Sequence, residues 1–289
     1  MGKLIRCITS DGLVTVIAVD ATDIVNRAEQ IHQTSAVVTA GLGRLLTAAS
    51  MMGAMLKGEK ASITLRLQGD GAASPIVAVA DPQGNVKGYA GKKVLELPLN
   101  QYGKLDVSGA FGKTGLLYVM KDFGAGEPYI GQSPIVSGEI AEDIAHYYAV
   151  SEQIPTVCAL GVLVNPDLSV RAAGGFIAQL LPAADHREID RLEENIKKLD
   201  PITTMLNQGM DIESICQKVL DGFEMEILEE SKVEYRCDCS LEKVKKALIT
   251  LGKEELQTLP NEEGMTEVTC DFCDQTYHFT REQLDMLIL

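Results

Sequence analysis

The chain has 289 residues, 46% of them hydrophobic, which is enough for one large domain and a smaller one. Its formal net charge is −15. Binding to nucleic-acid phosphates or to anionic membrane surfaces requires clustered Lys and Arg, which so acidic a chain does not favour. We therefore expect neither nucleic-acid nor membrane partners.

Residues 1–182 combine strand patterns with two helical patterns. The helical pattern over 35–56 is apolar nearly all round, but it contains Arg44 and owes much of its apolar content to Ala and Gly, so we expect a buried core helix rather than a membrane span. The sequence predicts an α+β domain of antiparallel-rich sheets packed on long helices. Predicted strands are 4–9, 13–19, 62–67, 76–79, 86–89, 115–120, 129–136, 156–164 and 168–173, and a second helix covers 139–150.

The composition changes after Pro182. Residues 183–236 contain 14 acidic and 7 basic side chains, yet apolar residues recur at helical spacing. Helices of this kind are marginal alone and need a surface to pack on. We interpret 183–231 as a helical, metastable linker, and two alternatives stay open: a solvated connector, or a segment that docks and releases. One apolar series consists of Ile189, Leu192, Ile196 and Leu199.

The last segment, 232–289, contains four of the seven cysteines as a C-x-C and a C-x-x-C pair. Zinc binds four thiolates in a tetrahedron at about 2.3 Å, which places the sulfurs roughly 3.8 Å apart. Two close cysteine pairs can supply that geometry, so we predict a C-terminal domain that binds one Zn²⁺. A module this small needs the metal in order to fold. The predicted ligands are Cys237, Cys239, Cys270 and Cys273, and helices are predicted at 241–251 and from 280 onward.

The residues around the cysteine pairs bear on two alternatives to a four-cysteine zinc site. His278 follows Cys273 closely and could replace a ligand, although four thiolates already complete a tetrahedron. A thiol oxidoreductase would need a low thiol pKa, which the neighbouring Asp271 and Asp274 oppose. The remaining cysteines are expected to be small buried hydrophobic residues; they are Cys7, Cys158 and Cys216.

The sequence contains no complete match to the catalytic and nucleotide-binding motifs considered below. Gly112-Lys113-Thr114 resembles the end of a P-loop, but Val107 stands where the motif requires glycine. The sequence contains neither H-E-x-x-H nor G-x-S-x-G. We expect a protein that is not an enzyme and does not use nucleotide. Residues 1–6 lack the apolar core of an export signal, and with metal-spaced cysteines this predicts the reducing cytoplasm.

The cysteine pattern, with thirty residues between its two pairs, resembles the redox-regulated bacterial heat-shock chaperone family of thirty-three kilodaltons, a family of zinc-binding holdases. Further stretches carry the resemblance, which spans the whole chain. They are Gln68-Gly69-Asp70-Gly71, Gly88-Tyr89, Ser151-Glu152-Gln153-Ile154-Pro155-Thr156 and Gly174-Gly175-Phe176-Ile177-Ala178-Gln179-Leu180-Leu181-Pro182.

The resemblance implies an ATP-independent chaperone that is inactive while zinc is bound. Oxidation would form the disulfides Cys237–Cys239 and Cys270–Cys273, release zinc and unfold the C-terminal region. Apolar surface would then bind unfolding client proteins, with a homodimer as the active form. Two alternatives remain, a constitutive zinc module that recruits a partner and a thiol oxidoreductase.

Overall fold

A computed structural model describes residues 1–261 and 264–287. Contacts divide the chain into two compact units, Met1–Arg236 and Cys237–Leu289. The predicted α+β class with antiparallel sheets is confirmed. The three-part division into 1–182, 183–231 and 232–289 concerns which parts can unfold separately, and it stays a prediction.

The first unit contains two five-stranded antiparallel sheets. Sheet 1 has the strand order β10-β1-β2-β9-β8, and sheet 2 has the order β5-β4-β3-β6-β7. Their strands are β1 (Gly2–Thr9), β2 (Val14–Asp20), β3 (Ser62–Gly69), β4 (Ile76–Ala80), β5 (Val86–Ala90), β6 (Gly115–Asp122), β7 (Tyr129–Pro134), β8 (Thr156–Val164), β9 (Val170–Leu180) and β10 (Met225–Val233).

A long helix, Ala36–Ala54, contacts strands of both sheets and forms the centre of the core. It is long and apolar enough to cross a membrane, but 89% of its most apolar window is buried inside the protein. The prediction of a buried core helix is confirmed. The helices of this unit are α1 (Thr22–His32), α2 (Ala36–Ala54), α3 (Val107–Phe111), α4 (Ala141–Tyr147), α5 (His186–Lys198), α6 (Ile202–Asn207) and α7 (Ile212–Val219), and a π-helical turn, Tyr148–Glu152, follows α4.

Two glycines of the quoted motifs permit close packing inside β9. A Cβ on Gly174 would lie 2.6 Å from the carbonyl oxygen of Val19, and one on Gly175 would lie 2.5 Å from that of Ala159. Any side chain at either position would separate β9 from its neighbouring strands. The predicted strands 156–164 and 168–173 correspond to β8 and β9, which pair as a hairpin, and β9 continues to Leu180.

Residues 183–231 form helices α5 to α7 and most of β10. The helices pack their apolar faces against one face of sheet 1, through a second hydrophobic cluster separate from the core around α2. The purely helical character predicted for this segment is wrong at its end, because Met225–Val233 pairs as an edge strand with β1. The helix residues of this cluster are Leu192, Ile202, Met205, Ile212, Ile215, Cys216 and Val219.

The second unit is small. Its hydrophobic cluster buries only Leu248, Leu256, Phe279 and Leu284 among the described residues. The sequence predicts two helices here; the structure has three helices and an antiparallel hairpin. They are α8 (Leu241–Ile249), α9 (Lys253–Thr258), β11 (Met265–Thr269), β12 (Thr276–Thr280) and α10 (Arg281–Asp285), and residues 262–263 and 288–289 of the predicted domain lie outside the described residues.

Candidate metal centre

The segment just before α8 and the turn between β11 and β12 position the four C-terminal cysteines. The C-x-C pair is followed at once by Ser240, whose hydroxyl caps α8 by accepting the backbone N–H of Lys243 at 3.3 Å. The C-x-x-C pair occupies the turn of the β11–β12 hairpin. There the backbone N–H of Asp274 donates to the carbonyl of Cys270 at 2.9 Å, and Asp274 adopts a left-handed conformation with φ of 58°. This tight turn places the sulfurs of Cys270 and Cys273 on the same side of the hairpin.

The four predicted ligands lie together, with their sulfurs all within 4.8 Å of one another. Two contacts join the two motifs: Cys237 Sγ lies 3.8 Å from Cys270 Sγ, and Cys239 Sγ lies 3.3 Å from Cys273 Sγ. All four side chains are half-buried. Four sulfurs at this separation fit the tetrahedral donor set of a structural zinc site, and the cluster could hold a metal ion.

The protonation of these thiols depends on their surroundings. Partial burial raises the pKa of Cys237 and Cys273, because it disfavours the thiolate. Burial also opposes ionisation of Cys239, but the hydroxyl of Tyr277 donates to its sulfur at 3.2 Å and its pKa is lowered overall. A bound divalent cation would stabilise thiolates at all four positions.

The other candidate residues lie away from this cluster. His278 is on β12 opposite Glu267, and its Nδ1 lies 3.3 Å from a carboxylate oxygen of that residue. In the described residues, the cysteine cluster does not include it. Cys7 and Cys216 are buried as predicted, whereas Cys158 is half-buried.

The loop that resembles a P-loop already has an anionic partner. The backbone N–H groups of Lys113 and Thr114 donate to a carboxylate oxygen of Asp70 at 3.0 and 3.2 Å. These hydrogen bonds hold the pKa of Asp70 below its usual value, with the bond from Thr114 as the largest cause. Asp70, the centre of the Gly69-Asp70-Gly71 motif, thus occupies the backbone donors that a phosphate would need.

Comparison with known proteins identifies the family. A family model described as Hsp33 protein matches residues 2–280. The chain belongs to the Hsp33 family. It is 46% identical to the 33 kDa chaperonin of Clostridium botulinum (strain Eklund 17B / Type B), over 99% of this chain and 97% of that protein. It is 47% identical to the 33 kDa chaperonin of Clostridium perfringens (strain SM101 / Type A), over 99% and 91%.

A solved structure of this family has the same fold. The crystal structure of the 33 kDa chaperonin, or heat shock protein 33 homolog, from Thermotoga maritima superposes with a TM-score of 0.91 at 36% sequence identity. The match covers 99% of this chain and 97% of that one. The Hsp33 fold therefore extends over both units described above.

Sequence reasoning missed the attachment of the segment that precedes the first cysteine pair. The hydroxyl of Tyr235 donates to the carbonyl of Gly88 at 2.8 Å and accepts the N–H of the same residue at 3.2 Å. His32 Nε2 lies 3.1 Å from that hydroxyl and 3.0 Å from the Gly88 carbonyl. Backbone bonds between Val86 and the 234–236 segment add to the attachment. Nothing local in the sequence indicates it, because Gly88 lies far away along the chain.

Proposed function

We propose that this Hsp33-family protein is an ATP-independent holdase that is switched on by oxidation. The observation that carries the proposal is the cluster of Cys237, Cys239, Cys270 and Cys273 in a unit with a very small hydrophobic core. In the reduced state these four residues hold one zinc ion and the protein is inactive. Oxidation to disulfides removes the ligands, unfolds the C-terminal region and exposes surface that binds unfolding proteins.

The small core explains why the four ligands would control folding. Over 237–261 and 264–287 the second unit buries four apolar side chains in its cluster, too few to stabilise a domain without further support. Bound zinc would supply folding free energy on the order of 10 kcal/mol, as in zinc-finger modules. Losing the four thiolate ligands therefore removes most of what keeps residues 237–287 folded.

Formation of each disulfide removes two electrons from a cysteine pair. Peroxide converts one thiolate of a pair to a sulfenic acid, and the second cysteine attacks that sulfur, releases water and closes the disulfide. We propose the pairs Cys237–Cys239 and Cys270–Cys273. All four sulfurs lie within 4.8 Å of one another in the folded unit, and the short spacing within each motif keeps its two members close as the unit opens.

The linker segment connects zinc loss to client binding in this proposal. Helices α5 to α7 cover an apolar face of sheet 1, and β10 follows them along its edge. Two exposed ion pairs, Lys3–Glu230 at 3.1 Å and Arg6–Glu229 at 3.3 Å, add little to the attachment of β10. Release of this segment would uncover apolar surface on the helices and on the sheet, while the net charge of −15 keeps a client complex soluble.

The remaining features of the proposal concern where and with what the protein acts. We infer that it works in the cytoplasm, where reduced thiols can hold zinc until oxidative stress arises. Its partners are unfolding or oxidatively damaged proteins, and the oxidised form is a homodimer. It requires no nucleotide, nucleic acid or membrane, and it catalyses no reaction.

Light scattering from an aggregating client tests the proposal. Reduced, zinc-loaded protein should leave aggregation unchanged, and the same protein treated with peroxide at mildly raised temperature should suppress it. The control is a quadruple variant in which Cys237, Cys239, Cys270 and Cys273 are all replaced by Ser. Peroxide should not alter its activity. Equal suppression by reduced and oxidised wild-type protein would contradict the switch and favour a constitutive zinc module.

A further inference from the structure

Strand β8 forms one edge of sheet 1, and a cavity of about 690 Å³ lies along it. Seven consecutive residues of the strand, 158–164, line this cavity, which therefore follows β8 for about 20 Å at roughly 3.4 Å per residue. Its other lining residues come from both sides of the sheet. Arg44 of α2 and the 99–105 segment line it on one side, and Ile202 at the start of α6 lines it on the other.

The hydrogen bonds of β9 show which backbone groups of β8 point away from the sheet. Backbone groups of successive residues in an antiparallel strand point alternately to its two neighbours. The N–H of Leu180 donates to the carbonyl of Pro155 on the β8 side, and the N–H of Leu181 donates to that of Leu13 on the β2 side. Even-numbered residues of β9 therefore pair with β8, and their partners in the register are the odd-numbered residues of β8, such as Val157.

The even-numbered residues of β8 direct their backbone N–H and C=O groups outward, into the cavity. In the part of the chain that the structure describes, β9 is the one strand that pairs with β8, and these outward groups have no hydrogen-bond partner. Such an edge is a template for pairing with another extended chain. The residues concerned are Cys158, Leu160 and Val162.

Strand β8 also lacks the charges that commonly prevent such pairing. None of its nine residues, Thr156–Val164, is charged. At the opposite edge of sheet 1, β10 contains three glutamates and a lysine. Charged side chains on an edge strand discourage the approach of another chain, so the two edges of this sheet differ in their protection.

We propose that the edge of β8 binds an extended apolar segment of an unfolding client protein, which adds a strand to sheet 1. Pairing through backbone groups gives affinity for many sequences, and the apolar side chains along the cavity favour segments that are buried in folded proteins. The inference rests on the proposed holdase function and gives that function a binding site. Helix α6 belongs to the linker segment, so its release would remove one wall of the cavity and open the edge.

Geometry and charge both favour a client segment over a second copy of this chain at the β8 edge. Two β8 strands paired about a twofold axis would bring both 99–105 segments to the same face of the joined sheet, beside the edge where each already lies. A second copy would also bring a further net charge of −15, whereas an apolar client segment brings none.

Residue-resolved hydrogen exchange by NMR tests the site in peroxide-treated, full-length protein. The probe is reduced, carboxymethylated α-lactalbumin, which stays unfolded. We expect its addition to slow exchange of the amides of Cys158, Leu160 and Val162 at least several-fold. Unchanged exchange of all three would overturn the proposal. Protection already present before the probe is added would also overturn it, because a second copy or the chain's own released segment would then occupy the edge.

A charge placed on β8 tests whether the edge matters for holdase activity. Leu163 lines the cavity and is 39% exposed, so Leu163→Lys adds a charge at little cost to the fold. The matched control is Leu168→Lys, because Leu168 is 38% exposed and does not line the cavity. In the oxidised state, Leu163→Lys should need several-fold more protein than Leu168→Lys to suppress client aggregation. Equal suppression by the two variants would overturn the proposal.

Failure of this site and failure of the redox switch give different results. If peroxide induces holdase activity but the three β8 amides stay unprotected, the switch stands and the strand site is wrong. If peroxide induces no holdase activity but the unfolded probe protects those amides, the redox-switch function fails and the strand site stands.

Discussion

At the scale of single residues, Tyr277 extends the candidate metal centre beyond its four sulfurs. Its hydroxyl donates to Cys239 Sγ at 3.2 Å, and the bond raises the pKa of Tyr277 to about 12 because the phenol donates to a sulfur with anionic character. Groups that hydrogen-bond to metal ligands orient them and tune their basicity. Tyr277 should therefore favour the thiolate form of Cys239.

Tyr277→Phe should weaken zinc binding by about tenfold, because hydrogen-bonding partners of metal ligands typically contribute 10–100-fold to affinity. Competition with a chromogenic chelator measures the change. Tyr102→Phe is the matched control, since Tyr102 is 76% exposed and lies outside the metal centre. Identical affinities of both variants would show that the hydroxyl plays no part in ligand positioning.

The hydroxyl of Tyr235, just before the metal centre in the sequence, forms hydrogen bonds with Gly88 and His32. Tyr235→Phe leaves these polar partners without the hydroxyl, and we expect a loss of about 1–3 kcal/mol in the free energy of unfolding. Urea denaturation of reduced protein measures it, again against Tyr102→Phe. The variant should also be activated by peroxide at a lower temperature, and an unchanged activation temperature would separate this attachment from the switch.

The four cysteines could be predicted from the sequence, but these two tyrosines could not. C-x-C and C-x-x-C spacings can be recognised locally, because the short spacing alone keeps the two cysteines of each pair close together. The hydrogen bonds of Tyr235 and Tyr277 join residues far apart in the sequence, so they depend on packing that no local pattern encodes.

At the scale of elements, β10 shows a similar limit of local patterns. Met225–Val233 has mostly exposed side chains on both faces, so the alternation that marks a half-buried strand is missing. It is a strand because β1 offers an unpaired edge for its backbone. The central helix α2 was predictable, since its long apolar run marks a helix and Arg44 with the many Ala and Gly residues favours the core over a membrane.

A substitution in helix α7 tests whether the linker segment covers the client-binding surface, and it leaves the metal centre unchanged. Ile215 is fully buried against sheet 1, and Ile215→Ala should cost about 2–5 kcal/mol through lost burial and the cavity that remains. If release of this segment exposes the client-binding surface, the reduced variant should show partial holdase activity with its zinc still bound. Client aggregation and zinc content are measured together.

The matched control lies in the same helix, where Lys218→Ala changes an exposed side chain. This variant should be as inactive as the reduced wild type. An Ile215→Ala protein that is destabilised in urea but inactive towards clients would argue that the linker does not cover the binding surface.

At the scale of the whole molecule, the two units differ greatly in the size of the buried core that stabilises them. The first unit has two sheets around a continuous buried core, and the second has a small cluster beside its four cysteines. A disturbance confined to the cysteines should therefore unfold the second unit and leave the central core intact. In the proposed switch, this difference would allow oxidation of a few sulfurs to change one part of the protein selectively.

Hydrogen exchange on reduced, zinc-loaded protein and on peroxide-treated protein tests this account most directly. After oxidation we expect residues 237–287 to lose protection completely and the 183–236 segment to lose part of it, while α2 and the strands of sheet 2 keep theirs. Reduced protein treated with a strong zinc chelator should show the same loss over 237–287. Unchanged protection of 237–287 in protein whose four cysteines are oxidised and whose zinc is gone would contradict the account.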